Sequence, residues 1–427
     1  MNGTSGGATN RFPQLVRVRQ KFAATPPIDV RGEVRAGLAP LAATLAPGAR
    51  VAVAVGSRGI TGLFRIVAAA IDTLRESGAR PFIVPAMGSH GGATPEGQVE
   101  LLAGYGITEA ALGVAIRPSM EVRQVGVTVD GVEVVWGVEA LGADAVLVVN
   151  RIKPHTDFLG GLGSGLMKML VVGLGKHVGA ATFHRAASQH GYERVLRTAA
   201  ALVLARLPVL GGLAIVENQR HETAGLEVIP AAGLIGREEQ LGVEANRLMP
   251  RLPFGEIDLL IVDRMGKNIS GTGMDPAVIG RMIHGYSLSE EVERRSPHVR
   301  RLFVRDLTPE SHGNALGLGM ADFTTDRLIR AMDRNVTITN SLTALSLQGA
   351  KIPIAFASDR EVLHAALGSL AVNDPARIRV VRIRDTLSVE DLAISTALAE
   401  SLPADGSMHV EGPPQPMAFD AAGNLAD

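Results

Sequence analysis

The feature that most constrains this fold is an alternation of short β-branched runs, which end in glycine, with longer stretches of helical periodicity. Residues 51–55 predict a buried strand, residues 56–59 the glycine-containing turn after it, and residues 61–77 an amphipathic helix. A second strand is predicted over residues 81–85. Strands that alternate with helices in this way predict mostly parallel, doubly wound sheets, which bind ligands beyond the carboxyl ends of their strands.

The length of 427 residues is too great for one ordinary core. The pattern restarts after residue 250, so we expect an N-terminal cofactor-binding domain over residues 1–250 and a C-terminal domain over residues 251–400, with residues 401–427 a tail. The expected fold class is α/β, with two Rossmann-like domains, mostly parallel sheets and the active site in the cleft between them. Further strands are expected at 145–149, 213–216, 257–262, 336–339, 352–357 and 379–383.

The composition argues against several classes of protein. Lys and Arg total 42 against 43 for Asp and Glu, without a basic stripe, so a nucleic-acid binder is not expected. The absence of cysteine excludes disulfides, iron–sulfur clusters, thiolate zinc sites and cysteine nucleophiles. No uninterrupted apolar stretch reaches the roughly 20 residues of a membrane span, and the polar N-terminus has no signal-peptide pattern. We therefore expect a cytoplasmic protein.

The strongest chemical signal is a glycine-rich segment after the strand at 145–149. Four glycines lie between His155 and Lys168, at positions 160, 161, 163 and 165, and His184 follows further along. Glycine at this density lets a backbone approach a ligand and point N–H groups at an anion. The P-loop pattern is absent and the dinucleotide-binding pattern fits poorly. A functional loop is nevertheless expected, because long glycine-rich loops inside domains usually serve a function.

A second histidine-bearing loop follows the strand at 81–85. His90 stands among small residues, just before a helix for which Thr94 and Pro95 are suitable first residues. Each histidine alone fits a packing role. Three histidines and one lysine on strand-end loops together predict an active site.

These residues resemble the nickel-pincer lactate racemase family. The matching motifs are His90 in Gly-x-His, His155 in Pro-His, Lys168 in Ser-Gly-x-x-Lys, and His184 beyond them. The resemblance covers roughly residues 45–390 and is strongest around the glycine-rich segment.

The resemblance implies a cofactor, a pyridinium mononucleotide whose thioamide and thiocarboxylate arms hold nickel. Lys168 would carry this cofactor covalently, with Lys153 and Lys176 as alternatives, and His184 would be the nickel ligand from the protein. Small residues of the two loops would contact the cofactor: Gly88, Ser89, Gly163, Ser164 and Gly165.

The resemblance also implies catalytic roles. His90 and His155 would be paired acid–base residues, Arg58 would polarise the substrate, and Lys267 would hold the substrate carboxylate. Removing the Cα proton of a 2-hydroxy acid is difficult beside a carboxylate, whereas a hydride can pass to an organic acceptor. One histidine then takes the hydroxyl proton, and a second serves the opposite face of the flat keto acid.

Two positions depart from the family pattern. Val55 stands where an acidic residue is usual, and Leu166 replaces a glycine common before the lysine. These changes favour a racemase or epimerase of a 2-hydroxy acid other than lactate. The expected partners are that acid and the enzymes of cofactor biosynthesis, with no nucleic acid or membrane, and a homo-oligomer is compatible with the sequence. Two alternatives stay open: a simple metal-dependent hydrolase or lyase, and a non-catalytic nucleotide-binding sensor.

Overall fold

The structure is a computed structural model that describes residues 12–57, 59–154, 161–282, 296–372 and 374–426. The chain divides into two units. The N-terminal unit comprises residues 24–249, and the C-terminal unit comprises the residues from 250 onward together with those before 24. Both units combine helices with sheets that are mixed but mostly parallel, as the sequence predicts.

The first strand, β1 (Leu15–Gln20), belongs to the C-terminal unit, and the N-terminal unit follows it. The elements of the N-terminal unit are, in chain order, α1 (Val30–Ala42), β2 (Arg50–Val55), α2 (Leu63–Glu76), β3 (Arg80–Pro85), α3 (Pro95–Gly104), α4 (Glu109–Leu112), β4 (Val122–Val127), β5 (Glu133–Gly137), α5 (Val138–Leu141), β6 (Ala145–Arg151), α6 (Leu166–Lys168), α7 (Lys176–His190), α8 (Tyr192–Arg206), β7 (Val209–Glu217), β8 (Thr223–Pro230) and α9 (Leu234–Arg247).

Five strands of this unit form one sheet in the order β3-β2-β6-β7-β8. The first four run parallel, and β8 is antiparallel at the edge. Strands β2 and β6 are buried along almost their whole length, because a hydrophobic core covers each face of the sheet. The carboxyl ends of β3, β2 and β6 therefore lie side by side, and the loops that follow them carry the predicted site.

The C-terminal unit restarts the βα pattern. After β1 its elements are β9 (Glu256–Met265), α10 (Pro276–Ile279), β10 (His298–Leu307), β11 (Phe323–Thr325), α11 (Asp326–Ala331), α12 (Arg334–Thr343), β12 (Ile354–Phe356), α13 (Asp359–Gly368), β13 (Val380–Ile383), β14 (Asp391–Ser395), α14 (Thr396–Ala399) and β15 (Met408–Gln415). Its eight strands form a sheet in the order β12-β11-β10-β9-β13-β14-β1-β15. Across the part of the chain that the structure describes, no helix has the length and apolarity to cross a bilayer.

The two chain ends correct the expected domain limits of 1–250, 251–400 and 401–427. Strand β1 pairs antiparallel with β14 and with β15, so the first segment belongs with the C-terminal unit. Strand β15 lies within the expected tail and forms the edge of the sheet. No sequence pattern indicated β15, because an exposed edge strand needs no apolar face.

The strand expected at residues 336–339 is wrong, since this segment lies within α12. The β-branched residues there suggested a strand. The side chain of Asp333 instead caps the helix by accepting a hydrogen bond from the amide of Val336 at 3.0 Å. Local capping therefore overrides the β propensity of the segment.

Candidate active site

The loop after β3 carries His90, and helix α3 holds it in place. The buried side chain of Gln98 donates hydrogen bonds to the carbonyl oxygens of Gly88, at 3.2 Å, and of His90, at 3.3 Å. Thr94 is the N-cap of this helix, as predicted, and accepts from the amide of Gly97 at 3.1 Å. One helix thus fixes the backbone before and at the exposed His90.

The loop after β2 meets the His90 loop through a hydrogen bond. The Oγ atom of Ser57 bonds to Nδ1 of His90. The carbonyl oxygen of Ser57 accepts a hydrogen bond from the hydroxyl of Tyr105 at 2.6 Å. The neighbouring Arg58 lies outside the described residues.

The segment after β6 begins with a closed loop. Lys153 and Ser164 exchange two backbone hydrogen bonds of 2.9 and 2.7 Å, which join the two ends of this loop. Gly163 and Ser164 are half-buried beside that bridge. His155 falls in the part of the loop that lies outside the described residues.

Helix α6, which ends at Lys168, rests on a buried acid. Glu238 of α9 is 1% exposed and accepts a hydrogen bond from the amide of Met167 at 2.9 Å. A Cβ atom on Gly165 would lie 2.2 Å from Oε1 of Glu238. The glycine predicted to contact the cofactor therefore also makes room for this carboxylate, and burial raises the pKa of Glu238 to about 7.

We expect the Glu238→Gln variant to be more stable than the native chain at alkaline pH. The pKa of this carboxyl is raised above its ordinary value of 4.5, so its contribution to stability is full below pH 4.5 and is lost as the pH rises through about 7. A neutral amide avoids that loss and keeps an oxygen for the amide of Met167. The difference in unfolding free energy between variant and native chain should widen by roughly 3 kcal/mol from pH 4 to pH 8.

Urea unfolding at both pH values measures this difference. Glu239→Gln is the matched control, because the neighbouring carboxylate is partly exposed and pairs with Arg197. If the unfolding free energies of Glu238→Gln and the native chain differ by the same amount at pH 4 and pH 8, Glu238 is not a buried acid with a raised pKa.

An aromatic pair links Lys168 with helix α7. The Nζ atom of Lys168 lies 5.7 Å from the ring centre of Tyr192. Tyr192 packs edge-on against Phe183 with ring centres 4.9 Å apart, and the ring of the next residue, His184, is 5.8 Å from that of Phe183. Lys168 and His184, both half-buried, therefore border the same aromatic pair.

The His90 loop also touches the segment that carries Lys168. The amide of Gly88 donates to the carbonyl oxygen of Gly173 at 3.1 Å, and a Cβ on Gly88 would lie 3.3 Å from the carbonyl oxygen of Val172. The φ angle of Gly88 is +59°, a value that favours glycine. This glycine, predicted to contact the cofactor, therefore joins the two loops by its backbone, and the half-buried Ser89 follows it.

The environment of Lys176 makes this alternative lysine unsuitable for covalent attachment of a cofactor. Lys176 is 1% exposed, and its ammonium group donates a hydrogen bond to the carbonyl oxygen of Pro85 at the end of β3. The pKa of Lys176 is lowered to about 8. Burial causes the decrease, and the charge of Glu139 partly opposes it. An amine that is enclosed and bonded to the main chain offers no room for a covalent group, whereas Lys168 is half-buried.

Lys267 lies in the C-terminal unit, in the loop after β9. Its Nζ atom donates to Oδ1 of Asn340 at 2.9 Å and to the carbonyl oxygen of Gly271. Its amide donates to Oγ of Ser311 at 2.9 Å. Neutral polar groups thus hold the ammonium, and an ammonium held in this way can still attract a carboxylate.

Residues 27–195 match the family model described as the lactate racemase N-terminal domain. This chain contains a lactate racemase N-terminal domain. The matched range includes the segments that carry His90, Lys168 and His184.

Solved structures with a similar fold include the lactate racemase apoprotein from Thermoanaerobacterium thermosaccharolyticum. The two are 14% identical, with a TM-score of 0.51, over 88% of this chain and 99% of that chain. A protein from Thermotoga maritima is 16% identical, with a TM-score of 0.46, over 67% of this chain and 72% of that chain. The similarity to the apoprotein extends the fold assignment beyond the range of the family model. No curated protein matches the chain.

The residue types around Lys168 are compatible with a nickel cofactor that brings donor atoms of its own. The described residues contain no group of three or more His, Asp or Glu side chains that could hold a metal ion. They do bring a half-buried amine, Lys168, and a half-buried imidazole, His184, to one aromatic pair. Imidazole is a suitable donor to nickel, so these two groups would be available to attach such a cofactor and to ligate its metal.

The residues that support the site could not be predicted from the sequence. Ser57 stands 33 positions from His90, and Glu238 stands 71 positions from Met167, so no local pattern joins these partners. Glu238 also sits in a run of acidic and amide residues on α9 that is typical of an exposed helix face. The one usable signal was the position of Ser57 directly after a strand-end glycine.

Proposed function

We propose that this chain is a nickel-pincer-dependent racemase or epimerase of a 2-hydroxy acid. One observation carries the proposal. The loops of His90 and Lys168 contact each other at the carboxyl edge of a parallel sheet, within the range that matches the lactate racemase N-terminal domain. This edge is where ligands bind in doubly wound folds.

In the proposed enzyme, Lys168 would carry the pyridinium mononucleotide and His184 would give an imidazole nitrogen to nickel, a donor suited to that metal. When bound, the cofactor supplies a hydride acceptor that can also return the hydride. Gly88, Ser89 and Gly163 to Gly165 would line its binding site. The amide of Gly88 already donates within the chain, so its contribution would be close approach rather than a hydrogen bond.

The protein's own part in the reaction is proton transfer and substrate orientation. His90 would take the substrate hydroxyl proton as the hydride leaves Cα, which yields a keto acid and an imidazolium. His155 would give a proton to the carbonyl oxygen when hydride returns to the opposite face. Arg58 would polarise that oxygen, and Lys267 would pair with the carboxylate. Imidazole suits both proton transfers because its usual pKa lies near neutrality.

The substrate is proposed to differ from lactate. Val55, which occupies the position of the usual acidic residue, is completely buried at the end of β2 in the core of the sheet. This position therefore supplies no charge to the site. Leu166 is likewise fully buried, and it lies against Gly212, where an added Cβ would come within 2.6 Å of its Cδ1.

The proposal is tested on protein that is co-expressed with a nickel-pincer biosynthesis set. Single enantiomers of several 2-hydroxy acids, deuterated at Cα, are incubated with the protein and separated by chiral chromatography. We expect at least one acid to be inverted with its deuterium retained, because a hydride that shuttles through the cofactor does not exchange with water. Inversion with loss of deuterium to the solvent would contradict hydride transfer, and no inversion of any acid by loaded protein would contradict the proposed class of substrate.

A further inference from the structure

We infer that Ser57 is a positioning residue for His90, whose Nδ1–H donates to the serine hydroxyl so that Nε2 is the nitrogen that exchanges a proton with the substrate. The observation is the hydrogen bond between Oγ of Ser57 and Nδ1 of His90. The inference rests on the proposed function, in which His90 is an acid–base residue.

The backbones of both partners are held by the same helix. Gln98, within α3, donates to the carbonyl oxygen of His90 at 3.3 Å, and Tyr105, the C-cap residue of α3, donates to that of Ser57 at 2.6 Å. Before Ser57, a Cβ on Gly56 would lie 3.1 Å from Cε of Met169, so the backbone there packs closely against that side chain. The main chains of Ser57 and His90 are therefore both anchored to α3.

Proton chemistry decides the direction of this hydrogen bond. A neutral imidazole has one N–H group and one lone pair. If Ser57 donated to Nδ1, the proton of His90 would sit on Nε2, and that nitrogen could not accept the hydroxyl proton of a substrate. If Ser57 accepts from Nδ1–H, the lone pair is on Nε2, where a base needs it.

The hydrogen bond from Nδ1–H of His90 to the hydroxyl of Ser57 can also persist throughout the reaction. When the substrate O–H proton moves to Nε2, its O–H bond breaks, an N–H bond forms and the imidazole becomes an imidazolium. When bound, the cofactor would accept the Cα–H electron pair as hydride. Nδ1 keeps its own proton throughout, so the hydrogen bond to Ser57 need not rearrange. A base oriented by a third group is a recurring device of proton-transfer sites.

Two variants test the inference on the apo chain by ¹⁵N NMR of the histidine side chains, with His90 assigned by its loss in His90→Gln. We expect the Nδ1–H tautomer in the native chain, since the nitrogen that carries the proton is set by the hydrogen bond of its ring. Ser57→Ala should shift His90 toward Nε2–H, and Ser57→Thr, which keeps the hydroxyl, should restore the native signals. Ser77→Ala is the matched control, because its hydroxyl caps α2 by donating to Leu74 at 2.7 Å.

The cofactor-loaded variants supply the second readout. Ser57→Ala should lower kcat roughly 10- to 100-fold, the worth of one hydrogen bond to a charged group, with KM little changed. An Nε2–H tautomer in the native chain, or an unaltered His90 spectrum in Ser57→Ala, would overturn the inference, and so would a native kcat in that variant. Failure of the proposed function would be distinguishable from failure of this inference. In that case the loaded native protein would invert no hydroxy acid, whereas the NMR spectra of the apo chain would still show whether Ser57 sets the tautomer of His90.

Discussion

His90→Asn should lower kcat for the hydroxy acid by roughly 10²- to 10⁴-fold, the usual contribution of one acid–base group. The asparagine amide can still donate to Ser57, as Nδ1 does in the proposed arrangement, but it has no equivalent of Nε2. The variant therefore removes the proton acceptor and leaves the supporting hydrogen bond in place. Nickel content and the mass of the modified chain should stay at native levels, because His90 is assigned no role in holding the cofactor.

Chiral chromatography gives kcat for this variant, and metal analysis with intact-protein mass spectrometry gives its loading. His177→Asn is the control. His177 is exposed on α7, so its substitution should leave kcat and cofactor loading unchanged. If His90→Asn turns over within about threefold of the native rate, a change of less than 1 kcal/mol, His90 is not an acid–base residue.

His184→Ala should lose its nickel and all measurable turnover while the organic adduct stays on the protein. The imidazole of His184 is the single nickel donor that the proposal takes from the protein, and the covalent link runs through Lys168. The variant thus separates metal retention from cofactor attachment. The nickel content should fall from about one nickel per chain to a small fraction of that value.

The adduct mass and the nickel content are measured on the same preparation. His190→Ala, an exposed position at the end of the same helix, should keep both. Full nickel content together with native activity in His184→Ala would show that another group ligates the metal.

The sequence predicted the strands and helices that obey simple periodicities. Strands β2, β3 and β6 are continuous apolar runs because both faces of the sheet are covered. The cap at Thr94 was predictable because capping is local. The edge strand β15 and the membership of β1 were not, since they depend on pairing between distant parts of the chain.

The same division applies to the candidate site. His90, Lys168 and His184 stood out because each lies in a short motif on or after a strand-end loop. The groups that position them are joined only by the fold. Ser57 and His90 lie on two different loops, 33 residues apart in the chain. Glu238 bonds to helix α6 from 71 residues further along the chain.

Peptide mass spectrometry of Lys168, combined with nickel analysis, tests the proposed cofactor attachment on protein co-expressed with a nickel-pincer biosynthesis set. We expect a mass increment on the peptide that contains Lys168 and about one nickel per chain, and neither of these in Lys168→Arg. An unmodified Lys168 without nickel, under conditions that load another member of the family, would contradict the proposed attachment.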